Sequence, residues 1–504
     1  MFPVPAALFG RIPFGQVAQL TFNFGKTAKG SRQPREEYMI YTRIIKPQII
    51  ADQSNDGAQY CGDIAGLTGA GFVVSWTQNF GAVYNPRTMA RIFDADGTPI
   101  AAEFQVNTFA GSVLNSSLQA LDDGGFAALY ENGKYIAGQR FDATGAKIGA
   151  EFLLSGANDT RRENPTVTLL NNGTLAVVFD GDVIVRDGCD NGVAAQIIDT
   201  SGQLVGPELI VDEGQFQTKY AADILALKDG GFATLSSWAR FDPPPDKVSI
   251  RIYNADGTAR TDALVLDSDL CNYQKPAGTQ LADGRIIVVW DNGPDGIDMR
   301  TISPTGKFWG QSTAVVRFAE VYGNKLADVV ALPDGGFFVA WSGNSTTTSE
   351  HTFGQRCDAN KSKVGDMLTI DPDGQLTNEF VNLSLAKNGD ILVSWEEGTS
   401  VLNLSTRVQI LEGSYVGTQS DDTLTDTVGT NLMFGRDGDD ALAGKGAMTA
   451  YSAKMAMTGP WGARAMIAST AIRAMTICSG NRARTGCGAA AGVTSCGAAV
   501  AMTR

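Results

Sequence analysis

The sequence is poor in the residues that most enzymes use for nucleophilic or metal-based chemistry. Its 504 residues include one histidine and seven cysteines. The neighbours of His351 form no serine–histidine–acid arrangement, so a histidine-dependent hydrolase and a metal centre with several histidine ligands are excluded. The cysteines have no metal-ligand spacing and are too few for a disulfide framework. Carboxylates are plentiful, so a carboxylate-based glycosidase stays open.

Long apolar runs are also missing, and so is acid at the C-terminal end. No run reaches the roughly 18 apolar residues of a transmembrane helix. The segment 1–8 is apolar but lacks a basic region, which makes it a poor signal peptide. The last acid is Asp440, and seven of the 40 basic residues lie beyond residue 444. Residues 1–444 therefore carry 33 basic and 54 acidic side chains, a net charge of −21. This balance argues against a nucleic-acid partner and suits a secreted protein that collects divalent cations.

One repeated unit fills the middle of the chain. Seven copies of a segment similar to Leu-x-Asp-Gly-Gly-Phe, followed by alternating apolar residues, lie about 50–55 residues apart. Each copy ends in an aromatic: Trp76, Tyr130, Phe179, Trp238, Trp290, Trp341 and Trp395. Alternation predicts strands, and Asp-Gly or Asn-Gly between the runs predicts hairpin turns. Each unit holds four strands and no helix, so the pattern predicts an all-β fold, a seven-bladed β-propeller.

The two ends of the repeat array predict how the ring closes. The seventh unit stops at Gly413 without its last strand, and the segment 47–53 has the spacing of that missing strand. We expect residues 47–413 to form the propeller, with this N-terminal strand completing the last blade. Residues 1–46 otherwise fit no pattern and are interpreted as a flexible N-terminal segment.

Two features of the propeller, an aspartate-rich turn and the aromatic at the end of each copy, are better explained by structural roles than by functional ones. The segment Asp94-Ala95-Asp96-Gly97 is similar to a calcium loop, but the positions after it supply no further carboxylate. Turn chemistry accounts for these aspartates. The aromatic that ends each copy is expected to pack between blades.

A nine-residue unit follows the propeller, in residues 414–446. Successive units open at Gly417, Asp426, Gly435 and Gly444, and the third reads Gly-Arg-Asp-Gly-Asp-Asp-Ala-Leu-Ala. This unit resembles the nonapeptide of RTX (hemolysin-type) calcium-binding proteins, G-G-x-G-x-D-x-U-x. The resemblance implies a truncated parallel β-roll with 18 residues per turn, type I secretion and an extracellular location.

The same resemblance implies one calcium site. Asp422 and Asp440 hold the family's ligand position, 18 residues apart. The other candidate ligands in the two loops are Thr418, Ser420, Gly435 and Asp437. Ca²⁺ would complete its shell of six or more oxygens from backbone carbonyls. Only one complete pair of loops survives, so at most one weak site is expected. The alternative is that these aspartates only form turns.

The nine-residue period continues through residues 447–504, but its chemistry does not. Ala447-Met448-Thr449 and Ala456-Met457-Thr458 stand on the register where the family has Gly-Asn-Asp. The codons GGC AAT GAC read one base late give Ala-Met-Thr. We interpret residues 447–504 as an RTX array translated out of frame, and expect a disordered tail. An Ala/Met/Arg-rich tail of another origin is the alternative.

Three functions fit these patterns. The preferred one is a monomeric, non-enzymatic extracellular protein that binds calcium and whose propeller binds a cell-surface glycan or protein. The alternative is a secreted carbohydrate-active hydrolase or lyase that uses carboxylates at the central channel. The third is a structural spacer. Three or more carboxylates with aromatics at the channel mouth would favour the hydrolase, whereas unclustered polar residues would not.

Overall fold

A computed structural model describes most of residues 44–413 and a few short segments after them. The described residues are 42, 44–53, 59–60, 62–68, 71–78, 86–108, 113–154, 161–181, 192–212, 218–239, 246–270, 275–292, 296–317, 322–346, 349–374, 377–400, 403–413, 415–416, 423–425, 432–434, 441–443, 450–452 and 466–467. Within them every regular element is a β-strand. None of the described residues belongs to a helix that could cross a membrane.

Strands of the repeat units form seven separate antiparallel sheets. Blade 1 contains β2 (Gln59–Tyr60), β3 (Ile64–Gly66), β4 (Phe72–Gln78), β5 (Arg87–Phe93) and β6 (Phe104–Gln105). Blade 2 contains β7 (Val113–Ala120), β8 (Phe126–Asn132), β9 (Tyr135–Phe141) and β10 (Lys147–Leu154). Blade 3 contains β11 (Arg162–Leu169), β12 (Leu175–Gly181), β13 (Gly192–Ile198) and β14 (Leu204–Asp212). Blade 4 contains β15 (Thr218–Ala226), β16 (Phe232–Ala239), β17 (Asp246–Tyr253) and β18 (Leu264–Leu270).

The remaining three blades repeat this arrangement. Blade 5 contains β19 (Ala277–Gln280), β20 (Ile286–Asp291), β21 (Ile297–Ile302) and β22 (Thr313–Val316). Blade 6 contains β23 (Tyr322–Ala331), β24 (Phe337–Thr346), β25 (Ser349–Cys357) and β26 (Lys363–Thr369). Blade 7 contains β27 (Thr377–Leu385), β28 (Ile391–Ser400) and β29 (Asn403–Leu411), and its outermost strand is β1 (Ile49–Ile50). The prediction of a seven-bladed β-propeller is confirmed.

The repeated Leu-x-Asp-Gly segment makes the turn between the first two strands of a blade. In blade 2, the Gly124 N–H donates to the Leu121 carbonyl at 3.1 Å, and the Leu121 N–H donates to the Gly125 carbonyl at 2.9 Å. Gly124 has φ +93°, a conformation that glycine adopts without a Cβ clash. This geometry is a type I turn followed by a left-handed residue, and it sets the strand register that faces apolar residues toward the neighbouring blades.

Aspartates in the turn between the third and fourth strands of a blade accept hydrogen bonds from the backbone, as predicted. Asp94 Oδ1 accepts hydrogen bonds from the N–H groups of Asp96 and Thr98 at 3.0 and 2.8 Å. Asp142 and Asp199 make the same pair of bonds in blades 2 and 3. Turn formation therefore occupies one oxygen of each of these side chains.

The core lies between blades. One apolar cluster joins Val73 and Ile92 of blade 1 to Phe126 and Tyr130 of blade 2. Six of the seven aromatics predicted to pack there are buried, with no more than 1% of their surface exposed: Trp76, Tyr130, Phe179, Trp290, Trp341 and Trp395. The side chain of the seventh, Trp238, lies outside the part of the chain that the structure describes. Each blade is a small twisted sheet whose two faces are covered by its neighbours, so the ring provides the core that a single unit lacks.

After the propeller, short strands pair in parallel, at an interval of 18 residues in three pairs and of 25 residues in the fourth. They are β30 (Tyr415–Val416), β31 (Thr423–Thr425), β32 (Leu432–Phe434), β33 (Ala441–Ala443), β34 (Ala450–Ser452) and β35 (Met466–Ile467). Tyr415 pairs with Met433, and Thr423 pairs with Ala441. The two sheets have the orders β30-β32-β34 and β31-β33-β35. The pairing within residues 414–446 has the predicted β-roll topology, whereas β34 and β35 lie in residues 447–504, where a disordered tail was expected. The rest of the tail lies outside the described residues.

Candidate functional site

The innermost strands of the blades surround a central channel of about 540 Å³. Each of these strands runs into the first residue of the Leu-x-Asp-Gly turn, which is alanine in blade 7. The residue four positions before that point lines the channel in every blade, and we call this set the aspartate ring. Its members are Asp63, Ser117, Thr166, Asp223, Ala277, Asp328 and Asn382. A single structural position therefore brings three carboxylates from blades 1, 4 and 6 to one cavity.

Each of the three aspartates also joins its blade to the next one. Asp63 accepts from the N–H of Leu118 in blade 2 at 2.7 Å, and Asp223 accepts from the N–H of Gly278 in blade 5 at 2.8 Å. Asp328 likewise accepts from a blade 7 N–H at 2.6 Å. The second oxygen of each side chain accepts the N–H of the residue that follows it, at 2.7 Å. Asp63 Oδ2 also accepts a hydrogen bond from the Ser117 hydroxyl, at 3.4 Å.

The environment raises the pKa of all three carboxyl groups. Burial in the channel wall is the largest cause, and it raises the pKa of Asp223 to about 7, with the charge of Asp328 adding to the effect. Burial raises the pKa of Asp328 to about 6, against the opposing influence of its backbone hydrogen bonds and of Lys275. Burial also raises the pKa of Asp63. Burial therefore favours the protonated form of all three side chains relative to a carboxyl group in water.

A second set of channel residues stands two positions before the aspartate ring, and we call it the bulge ring. Its described members that line the channel are Asn115, Asn164, Lys275, Leu326 and Phe380. β-bulges precede the aspartate-ring position in blades 2, 3, 6 and 7. The bulged residue has a positive φ in each of these blades, between +38° and +54°. The bulge turns the strand locally and re-aims the side chain at this point.

On the side of blades 2 and 3, the bulge ring is held by carboxylates behind it. Asn115 Nδ2 donates to Glu131 Oε1 at 2.7 Å and to Asn164 Oδ1 at 2.8 Å. Asn164 donates its backbone N–H to Glu131 Oε1 at 2.7 Å and its Nδ2 to Asp180 Oδ2 at 3.0 Å. Burial raises the pKa of Glu131, and it raises the pKa of Asp180 to about 7. The network fixes both amides at the channel wall.

The other side of the bulge ring is different in character. By ring order, blades 5 to 7 lie across the channel from blades 2 and 3, and they supply Lys275, Leu326 and Phe380. Lys275 is exposed, whereas Leu326 and Phe380 are half-buried. The channel therefore has two amides on one side, a lysine and two apolar side chains on the other, and three titratable carboxylates. Such a combination of apolar surface with a few convergent polar groups is typical of a small-molecule site.

The predicted calcium ligands are not among the residues that the structure places. Asp422, Asp440, Thr418, Ser420, Gly435 and Asp437 all lie outside the described residues. Their neighbours Thr423 and Ala441 are described, and they are paired partners in adjacent parallel strands. Within the described residues, no group of three His, Cys, Asp or Glu side chains could hold a metal ion.

Reasoning from the sequence missed the channel residues. A signal was present, because aligning the seven copies on the first residue of the Leu-x-Asp-Gly turn puts Asp63, Asp223 and Asp328 in one column. Aspartate is depleted in β-strands, so its recurrence in three blades, at a position where the other four carry Ser, Thr, Ala or Asn, is unusual. The positive φ of Leu326 and Phe380 has no comparable signal, since these residue types rarely adopt it.

Comparisons with known proteins give structural likeness without sequence likeness. No protein-family model matches the chain, and no curated protein matches it. A protein of unknown function from Dyadobacter fermentans is 12% identical with a TM-score of 0.47, over 74% of this chain and 99% of that one. The NanB sialidase of Streptococcus pneumoniae is 14% identical with a TM-score of 0.43, over 72% and 70%. An α-L-arabinanase of Penicillium chrysogenum is 15% identical with a TM-score of 0.40, over 59% and 92%.

The prediction that the protein is not an enzyme is contradicted, since propeller glycosidases are among its structural neighbours. Likeness at this level gives this chain no substrate. The mark named for the alternative was three or more carboxylates clustered with aromatics at the channel mouth; the aspartate ring places three carboxylates among the residues that line the channel, and Phe380 also lines it.

Proposed function

We propose that the protein is a carbohydrate-active hydrolase that cleaves its substrate in the central channel. The observation that carries the proposal is the aspartate ring, in which Asp63, Asp223 and Asp328 share one cavity and have raised pKa values. Hydrolysis of a glycosidic bond needs two carboxyl groups in different protonation states. An aromatic, Phe380, lines the same channel. We further propose that the protein acts outside the cell.

We assign the two catalytic roles to Asp223 and Asp328. Asp223, whose pKa is raised by burial and by the charge of Asp328, would donate its proton to the glycosidic oxygen as the carbon–oxygen bond breaks. The Asp328 carboxylate would accept a proton from the attacking water, which adds to the sugar carbon. Lys275 would act as a counter-charge, since its ammonium lowers the pKa of each of the three aspartates. Asp63 serves mainly to join blades 1 and 2.

Activity should appear in a panel of fluorogenic glycosides and should depend on pH at both ends. We expect the full chain to release 4-methylumbelliferone from at least one arabinofuranoside, glucoside, xyloside or sialoside. The rate should fall above about pH 7, because Asp223 then loses its proton, and below about pH 6, because Asp328 gains one. Release from none of these glycosides between roughly pH 4 and 9 would contradict the proposal.

A second, independent proposal concerns the β-roll. We propose that it binds one calcium ion through Asp422 and Asp440. The parallel pairing of Thr423 with Ala441 supports this, because these residues directly follow the two aspartates. Carboxylate and carbonyl oxygens are the ligands that Ca²⁺ prefers.

Calcium binding to the full chain should be weak and limited to one site. We expect a dissociation constant on the order of 10⁻⁴ M or weaker, since a single pair of loops must order itself without flanking turns. Calorimetric titration of the full chain checks this. Asp440→Ala should abolish binding, whereas Asp94→Ala, in a propeller turn, should leave it unchanged. Tight binding at several sites, or an Asp440→Ala protein with unaltered affinity, would refute the assignment.

A further inference from the structure

Leu326 and Phe380 occupy a backbone conformation that side chains of their type avoid. Their φ angles are +38° and +54°. In blades 2 and 3 the same position carries Asn115 and Asn164, at +41° and +50°. Asparagine tolerates the left-handed region, whereas a leucine or phenylalanine there is a genuine outlier. The chain therefore keeps two unfavourable residues at positions where its own other blades carry a favourable one.

Neither residue is explained by core packing. Both are half-buried and line the channel, and neither belongs to the buried core of the blades. Strained backbone that surrounding structure maintains is found disproportionately where ligands bind. Leu326 and Phe380 come from adjacent blades and line the same cavity, and we call this pair of side chains the 326/380 platform.

We propose that the 326/380 platform is a substrate subsite that packs against the apolar face of a sugar ring. This inference rests on the proposed function and names the part of the channel that selects the substrate. A pyranose or furanose ring has a face of C–H groups and a rim of hydroxyls. The platform offers apolar and aromatic surface to the face, and the aspartate ring offers acceptors to the rim.

Occupancy of the platform by a sugar follows from what surrounds it. The cavity of about 540 Å³ is within the range of small-molecule sites. Asn115 and Asn164 stand across the ring from the platform and are fixed by Glu131 and Asp180. A ligand held between these walls would present hydroxyls to the amides and carboxylates while its C–H face meets the platform. A purely apolar ligand would instead displace water from these amides and carboxylates without replacing its hydrogen bonds.

The test compares substitutions that relieve the strain with substitutions that keep the aromatic ring. Phe380→Asn and Leu326→Asn install the residue of blades 2 and 3, and Phe380→Tyr preserves the ring. Ile148→Asn is the matched control, since Ile148 is 39% exposed on β10, the outermost strand of blade 2, away from the channel. Calorimetry would measure the binding of cellobiose, arabinobiose and 3′-sialyllactose at a temperature where every variant is folded.

We expect the two Asn variants at the platform to bind the preferred saccharide about tenfold more weakly. Phe380→Tyr and Ile148→Asn should bind as the unmodified protein does. Because the strain is relieved, the unfolding midpoint of the platform variants should be unchanged or higher, unlike that of a core truncation. Unchanged affinity in both platform variants would overturn the proposal, and so would a failure of the unmodified protein to bind any of the three saccharides.

The outcomes separate the platform from the hydrolase assignment. Weakened binding in the Asn variants of a protein that cleaves no glycoside would support the platform and reject hydrolysis. Cleavage with an unchanged KM in the Asn variants would support hydrolysis and reject the platform. Cleavage with KM raised about tenfold in Phe380→Asn, and restored in Phe380→Tyr, supports both.

Discussion

A protein that begins at residue 54 should lose its cooperative unfolding transition or unfold at a much lower denaturant concentration. The deleted segment contains β1, which pairs with β29 and completes blade 7. The Ala51 N–H donates to the Thr406 carbonyl at 2.9 Å, and Asp52 Oδ1 accepts the Thr406 N–H at 3.0 Å. Ile45 and Ile49 pack against a cluster that joins blade 7 to blade 1. Losing these contacts should cost about 5 kcal/mol and expose an open sheet edge.

The matched control is a protein that begins at residue 42, which retains the whole closing segment. Its unfolding midpoint should equal that of the full chain. A synthetic peptide of residues 44–53 should partly restore the midpoint of the shorter protein, because the closure is non-covalent. If the shorter protein unfolds at the same denaturant concentration as the full chain, the ring does not depend on this strand.

Replacing Asp223 by Asn should lower the hydrolytic rate by about 10²–10⁴-fold, since the amide cannot donate a carboxylic proton to the leaving oxygen. The amide oxygen of the variant would still accept one backbone N–H, but the amide nitrogen would face the other donor, either the Ile224 N–H or the Gly278 N–H. Some loss of stability is therefore expected together with the loss of rate.

Asp63→Asn separates these two effects, because Asp63 makes the same pair of backbone bonds in blade 1. The two variants should lose similar stability in denaturant titrations. Only Asp223→Asn should lose most of its rate, and Asp256→Asn, in an exposed turn, should lose neither. Equal loss of rate in Asp63→Asn and Asp223→Asn would mean that the joints between blades, and not proton transfer, govern activity.

The repeats allow most of the fold to be predicted from the sequence, because each repeat shows the same alternating apolar residues and the same turn residues. The alternation of apolar residues around Phe126 and the Asp-Gly turns are local signals, and both agree with the strands and hairpins of the observed blades. Closure of the ring by β1 can also be predicted, because the seventh repeat lacks its last strand and an unassigned strand precedes the first repeat.

The channel was harder to predict because its properties arise only when the ring is assembled. Asp223 looks like an ordinary strand residue until blades 1 and 6 bring Asp63 and Asp328 to the same cavity. Its raised pKa comes from burial that no local segment provides. The positive φ of Phe380 was equally hard to predict, because it belongs to a β-bulge for which the sequence has no local signal.

The measurement that tests the channel assignment most directly is a crystal structure of the Asp223→Asn protein soaked with the glycoside that the unmodified protein cleaves. The inactive variant should trap the uncleaved substrate. The account predicts the sugar inside the channel, with one ring against Phe380 and the glycosidic oxygen within about 3 Å of the side chain at position 223. A substrate bound on the outer strands or at a blade edge, with the channel free of sugar, would contradict it.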